Sequence, residues 1–247
     1  MRKNVKQQLA LRVLSTAALV AMVSSIATAA FADTYDLNKG SVDILAEGGK
    51  QYITQWENES KGTYVTDDKG EIKKRQDDDI TLTTKDETTG ETKTTSNAVT
   101  IDAKEDNTAN VTLKDVDIRV DTSEAKSGAI EIKGDGDTNL ELNGDNTVLV
   151  ENEWSEEHAA IEKADKYGKE GTLTIKDDVN DDGTAKTGTD EDTTGKLVAG
   201  GYHEAAAIGG GAGDLGDTSN ITITGGEITA IGGNDGGCGI GGGGRPG

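Results

Sequence analysis

The chain has 247 residues, with 46 acidic side chains against 25 basic, a net charge of −21, one cysteine, one proline and 34 glycines. So acidic a surface repels phosphate backbones, which excludes nucleic acid as a partner. A lone cysteine excludes an intrachain disulfide, so stability has to come from a packed core, and only 3% of the residues are aromatic.

Residues 1–32 read as a secretory signal peptide. Arg2, Lys3, Lys6 and Arg12 precede an apolar run from Val13 to Ala30, and the run closes on the A-x-A pattern of Ala30, Phe31 and Ala32. Cleavage before Asp33 removes four positive charges and takes the net charge from −21 to −25 over the remaining 215 residues. Contact with a membrane is therefore expected only during export, and the mature protein is expected to be secreted or on the surface of a bacterial cell. Residues 33–79 are expected to form an atypical N-terminal cap followed by a polar loop. Val42 and Ile44 alternate, Gly48 and Gly49 turn the chain, Tyr52 and Ile53 follow, and Asn58–Asp79 is highly charged. A solenoid has to cover its first coil with such a segment.

Residues 80–247 carry an internal repeat. One marker reads Ile80/Leu82, Val111/Leu113, Leu140/Leu142, Leu173/Ile175 and Ile221/Ile223, with first members 31, 29, 33 and 48 residues apart. A second reads Ala98-Val99, Ala129-Ile130, Ala160-Ile161, Ala207-Ile208 and Gly239-Ile240, with isoleucine or valine 31, 31, 47 and 32 apart. Strict alternation within the markers is a strand period. Between them lie Val116/Ile118/Val120, Leu197/Ala199 and Ile228/Ala230, while Val148–Val150 is ambiguous by one residue, which a bulge would resolve. The expected fold is all-β, a parallel β-helix (β-solenoid) of about 30 residues per coil. Val99, Ile130, Ile161, Ile208 and Ile240 should stack as an interior ladder. Gly128, Ala159, Ala206 and Cys238 should form a column of small residues at a tight corner, broken at Asn97, with Cys238 buried. The longer spacing places an insertion at 177–195, where a loop grows at little entropic cost.

Several residues are candidates for chemistry. Asp178, Asn180, Asp182 and Gly183 open like a calcium loop, with oxygen ligands at alternate positions and a glycine for the turn. Thr189 stands where a bidentate glutamate belongs, so the plainer reading is a solvated acidic loop. Gly211, Gly213 and Gly216 spell GxGxxG, but a dinucleotide site needs that motif between a strand and a helix, and here a strand follows. His158 and His203, with Glu157 and Glu204 beside them, precede the third strand of their coils. They suit a metal or an acid–base pair, or, more plainly, two surface positions. Trp154, Tyr167 and Tyr202 suit a platform on which sugar rings stack, or packing over coil corners. Outward Thr81, Thr112, Thr174 and Thr222 suggest a flat threonine face, interrupted by Lys114, Glu141 and Lys176. Around Arg119, Lys114 and Lys133 no carboxylate set completes a catalytic group, so no catalytic residue is assigned.

The stretch His203–Gly244, with its HEAAAIGGG, NITITGGEITAIGG and GCGIGGGG segments, resembles a repeat of large secreted and cell-surface proteins of gut Firmicutes. The layout is similar to the right-handed β-helical carbohydrate-binding domain family, whose members bind plant-type polysaccharide and calcium. That resemblance implies a right-handed helix, a polysaccharide or host cell-surface glycan as partner, calcium as a possible ligand, and a non-catalytic role in carbohydrate binding or adhesion. The alternative is a polysaccharide lyase or glycoside hydrolase, which the same scaffold hosts. The last coil stands unpaired before Gly247, and a continuation in a longer protein is expected.

Overall fold

The computed structural model describes residues 33–58, 63–64, 75–121, 127–151, 158–177 and 195–244. β1 (Thr34–Asp36) is followed by a single 3-10 turn, and β2 (Val42–Glu47) and β3 (Lys50–Asn58) then form a hairpin that β4 (Thr63–Tyr64) and β5 (Arg75–Gln76) join antiparallel. From there the strands come in threes. The rounds are β6 (Ile80–Thr83), β7 (Thr94–Thr95), β8 (Val99–Ala103); β9 (Thr108–Lys114), β10 (Asp117–Asp121), β11 (Ile130–Lys133); and β12 (Asp137–Asn143), β13 (Asp145–Glu151), β14 (Ile161–Glu162). Two more follow, β15 (Leu173–Asp177), β16 (Lys196–Gly200), β17 (Ile208–Gly209) and β18 (Ile221–Ile223), β19 (Glu227–Ile231), β20 (Ile240–Gly241).

Each round gives one strand to each of three sheets. The first runs β1-β6-β9-β12-β15-β18, the second β7-β10-β13-β16-β19, and the third β20-β17-β14-β11-β8-β2-β3-β4. The strands are parallel except where β3 and β4 meet their neighbours. The protein is thus all-β with parallel sheets, and the connection between parallel neighbours is the rest of the round. β1 extends the first sheet beside β6 and β2 extends the third beside β8, so the segment ahead of Ile80 is woven into the same sheets. Among the described residues no helix is long and apolar enough to cross a membrane.

The expected third-strand ladder is observed, because Val99, Ile130, Ile161, Ile208 and Ile240 are successive register partners. All but Ile240 are fully buried. Burying each such side chain contributes about 1.5–3 kcal/mol relative to leaving it exposed, which is why an aliphatic column recurs through a chain otherwise so polar. The first sheet departs from expectation at one step. Leu140 pairs with Ile175, and Leu173 pairs with Thr138, a slip of two residues. Side chains alternate with period two, so a two-residue slip keeps every apolar group facing inward. Thr138 is consequently an interior residue with no solvent exposure.

The second sheet settles Val148–Val150 without a bulge. Ile118 pairs with Val148 and Val120 with Val150, leaving Leu149 outward. The ambiguity arises because the preceding inward position holds a polar residue, Asn146, where the next round has Leu197. Asn146 is 2% exposed. Its Oδ1 accepts from the Val116 amide at 3.2 Å, and its Nδ2 donates to the carbonyls of Asn143, Gly144 and Lys196 at 3.2, 3.3 and 3.0 Å. It therefore replaces an aliphatic side chain by a bracket that closes the corner between two sheets.

Cys238 corrects the expectation of burial. Its column-mates Gly128, Ala159 and Ala206 are buried, whereas Cys238 is exposed. A corner residue needs a round on each side to leave water. Among the described residues, none lies beyond the round of β18, β19 and β20. The same edge leaves Ile223, Ile231 and Ile240 exposed. The corner itself is tight as expected, since a Cβ on Gly128 would fall 2.3 Å from the Ala159 carbonyl oxygen. The ends of the insertion also meet: the Gly195 amide donates to Asp177 Oδ1 at 2.7 Å.

Candidate functional site: a polar corner cleft

The corner between the first and second sheets carries a cleft of about 500 Å³, lined by residues of three successive rounds and by Thr34. Its floor is built by register. Lys114 and Asn143 are partners at the ends of β9 and β12, which places their side chains one strand spacing apart, about 4.8 Å. Thr83 ends β6 next to them. The wall is the Lys85–Thr92 connection, where Lys85 and Thr92 bridge antiparallel and Asp86 accepts from the amides of Thr88 and Thr89 at 2.9 and 3.0 Å. An aspartate bonding forward to its own turn, followed by a glycine with φ of 72°, folds that connection back on itself.

Electrostatics holds the wall and floor together. Lys85 Nζ lies 2.8 Å from Asp115 Oδ2, and Lys93 Nζ 2.5 Å from Asp86 Oδ2. The Lys93 ammonium, followed by the two turn amides, lowers the Asp86 carboxyl from its ordinary value to about 2. Replacing Lys93 with alanine is therefore expected to raise the Asp86 titration midpoint towards the ordinary aspartate value, about 3.9, in carboxyl-detected NMR. An unchanged midpoint would show that the turn amides alone set it. Asp115 has φ of 52° and lies over Gly144, where a Cβ would come within 2.2 Å of its Oδ1. Glycine suits position 144 because φ there is 68°, and any side chain would also have to displace the Asp115 carboxylate. Among the described residues neither Lys114 nor Glu87 makes an ion pair, so one ammonium and one carboxylate of the cleft are left for a ligand.

The arrangement suits binding better than catalysis. Hydroxyl, amide, ammonium and carboxylate groups stand side by side along a groove, a mixed set of hydrogen-bond donors and acceptors. The lining carries no aromatic ring. Asp86 and Asp115 are both engaged by lysines, and a carboxyl held near 2 is a poor proton donor at neutral pH.

The residues expected from sequence lie elsewhere. Asp178, Asn180 and Asp182 fall outside the described residues, as does Trp154. Among the described residues no three His, Cys, Asp or Glu side chains gather as a metal site. Tyr167 lies between the third and first sheets, with Lys133 Nζ 5.2 Å from its ring centroid. Tyr202 lies between the second and third sheets, edge-on to His203 at 4.9 Å. Those two tyrosines belong to different corners. His203, in a turn with φ of 50°, contacts Asp235 at 2.9 Å, whereas His158 is buried against Glu162. Gly211, Gly213 and Gly216 surround a three-residue 3-10 turn that leads to β18 and not to a helix.

Sequence reasoning passed over the cleft because its residues are spread from Thr34 to Asp145 and no short motif joins them. The one local signal is Asp86 ahead of Thr88, Thr89 and Gly90, a turn between two lysines. Compared with known protein families, characterised proteins and solved structures, the chain matches none.

Proposed function

We propose that the chain winds as a right-handed parallel β-helix, exported behind residues 1–32, and serves as a non-catalytic module that binds polysaccharide or cell-surface glycan in the corner cleft. The observation that carries this reading is the alignment of Lys114, Asn143 and Thr83 across successive rounds in a polar groove. A linear polymer lying along the groove would meet a new polar side chain at each strand spacing, about 4.8 Å. Calcium at Asp178, Asn180 and Asp182, and sugar stacking on Trp154, Tyr167 or Tyr202, belong to the same proposal and rest on residue type and spacing.

The test is a polysaccharide array probed with and without calcium, followed by the Lys114→Ala/Asn143→Ala double variant. Wild type is expected to retain at least one polysaccharide, and the double variant to bind it at least tenfold more weakly, a loss of about 1.4 kcal/mol. Retention of no polysaccharide, or equal binding by the variant, overturns the cleft assignment. A calcium-dependent signal abolished by Asp178→Ala would add the ion, and loss on Tyr167→Ala or Tyr202→Ala alone would move the contact to those corners.

A lyase or hydrolase is the second reading, favoured by one observation: two lysines and several aspartates share the cleft. It requires new reducing ends or unsaturated products on incubation with the retained polysaccharide. Their absence removes it.

A further inference from the structure

The outer face of the third sheet holds ionisable side chains withdrawn from water. Glu131 and Glu162 are register partners on β11 and β14, one strand spacing apart, about 4.8 Å. Outward positions normally face solvent, yet Glu131 is 4% exposed, Glu162 0% and the neighbouring His158 2%. Lys133 Nζ lies 2.8 Å from Glu131 Oε2. His158 Nδ1 lies 2.9 Å from Glu162 Oε2, which also accepts from the Ala159 amide at 3.1 Å. Glu162 Oε1 is buried with no hydrogen-bond partner among the described residues.

Among the described residues the strands on either side of this pair add no further charge to the column, and the next carboxylate along it is Asp43 on β2, beyond Thr100. Thr100 on β8 and Gly209 on β17 are the next register partners. Asp102, opposite Lys133, is engaged by Lys104 at 2.5 Å. The group therefore contains two carboxylates, one ammonium and one imidazole. With both carboxylates ionised and the imidazole neutral it carries one uncompensated negative charge out of reach of water. Buried charge without a partner is strongly disfavoured, and adjacent carboxylates resist ionising together. One added proton makes the group neutral.

We propose that the Glu131–Glu162–His158–Lys133 group takes up one proton on folding and acts as a pH-sensitive clasp between the β9–β11 and β12–β14 rounds, tight at low pH and loosening as pH rises. The proton belongs to the group as a whole. Burial is the main force pushing the Glu131 carboxyl up, with the Glu162 charge adding to it and Lys133 and His158 opposing it. A carboxyl raised in the folded state contributes stability that is complete below its unfolded value, about 4.3, and is lost as pH rises through the raised one.

The test follows unfolding of the full chain from about pH 5.5 to about pH 8.5, across the range where imidazoles and raised carboxyls titrate. Wild type is expected to have an unfolding equilibrium constant that rises with pH by up to about tenfold per unit more than in Glu131→Gln or Glu162→Gln. The exposed-site control Glu105→Gln removes the same charge and should keep the wild-type profile. Parallel profiles for wild type and Glu131→Gln overturn the clasp, as does a control that flattens the profile equally. Should the buried variants not fold, amide exchange of Ile130 and Ile161 in the unaltered chain decides. It must accelerate with pH more steeply than exchange of Val111 and Leu113, and equal steepness refutes the proposal.

Discussion

Replacing Asn146 with alanine is expected to lower stability by about 2 kcal/mol, chiefly from the cost of orphaning the buried Val116 amide. The asparagine Oδ1 is the acceptor for the Val116 amide, and its Nδ2 serves three carbonyls from two rounds. Two of those carbonyls would stay satisfied, because Asn143 and Gly144 also accept from the Asp115 and Lys196 amides at 3.2 and 2.8 Å, so the Val116 amide is the group chiefly left unpaired. Each buried group left unmatched costs about 1–3 kcal/mol, less where a neighbour or water takes over. A leucine at 146 would match Leu197 next to it in register, but it would leave the same amide unpaired, so it should recover little. The control is Thr147→Ala, on the outward face one residue on, where a change within about 0.5 kcal/mol is expected. Stability in stacked repeats is close to a sum of neighbour terms. The reading is therefore taken at the site, as the exchange protection of the Val116 amide alongside the denaturant midpoint. Equal midpoints for the two variants would remove the bracket from the forces closing this corner.

Gly134→Ala is expected to cost at least about 3 kcal/mol, by left-handed strain and overpacking together. Gly134 has φ of 83°, and a Cβ there would sit 2.0 Å from the Ala103 carbonyl oxygen and 2.7 Å from Asp102 Oδ1. That carbonyl cannot retreat freely, because it accepts the Gly136 amide at 2.9 Å. Gly48→Ala separates the two effects. Its φ is 60°, yet a Cβ there meets nothing within 4 Å, so only the left-handed conformation is penalised, by about 1–2 kcal/mol. If the two alanines cost the same in denaturant titrations, close backbone approach is not what demands glycine at 134.

The interior was legible in the sequence wherever an aliphatic residue marked an inward position. Val99 to Ile240 align as their spacing implied, because β-branched side chains recurring at one register position have no other way to leave water together. Legibility failed where the interior is not apolar. Thr138 and Asn146 both face inward, one shifting the apparent start of a strand by two residues and the other hiding its phase. Lys163 is a third instance. It stands where Ile132 stands one round earlier and is 2% exposed, with Nζ 3.3 Å from the Gly168 carbonyl. Cys238 failed for a different reason, since burial depends on what stacks beside a residue and no local pattern contains that. The cleft was invisible because its members become neighbours only through register. His158 looked like a surface residue because Glu131 and Glu162 occupy outward positions, and alternation alone says nothing about whether an outer face is covered.

Lys114 and Asn143 are 29 residues apart in the chain and adjacent in the sheet. Duplication of one round would therefore insert another set of side chains into the same groove. The groove would lengthen by one strand spacing, about 4.8 Å, with its cross-section unchanged. Reach along a polymer then becomes a matter of copy number. On the proposed glycan-binding reading, a gene that gains or loses rounds would tune how many sugar units the groove spans without altering the chemistry of any one contact.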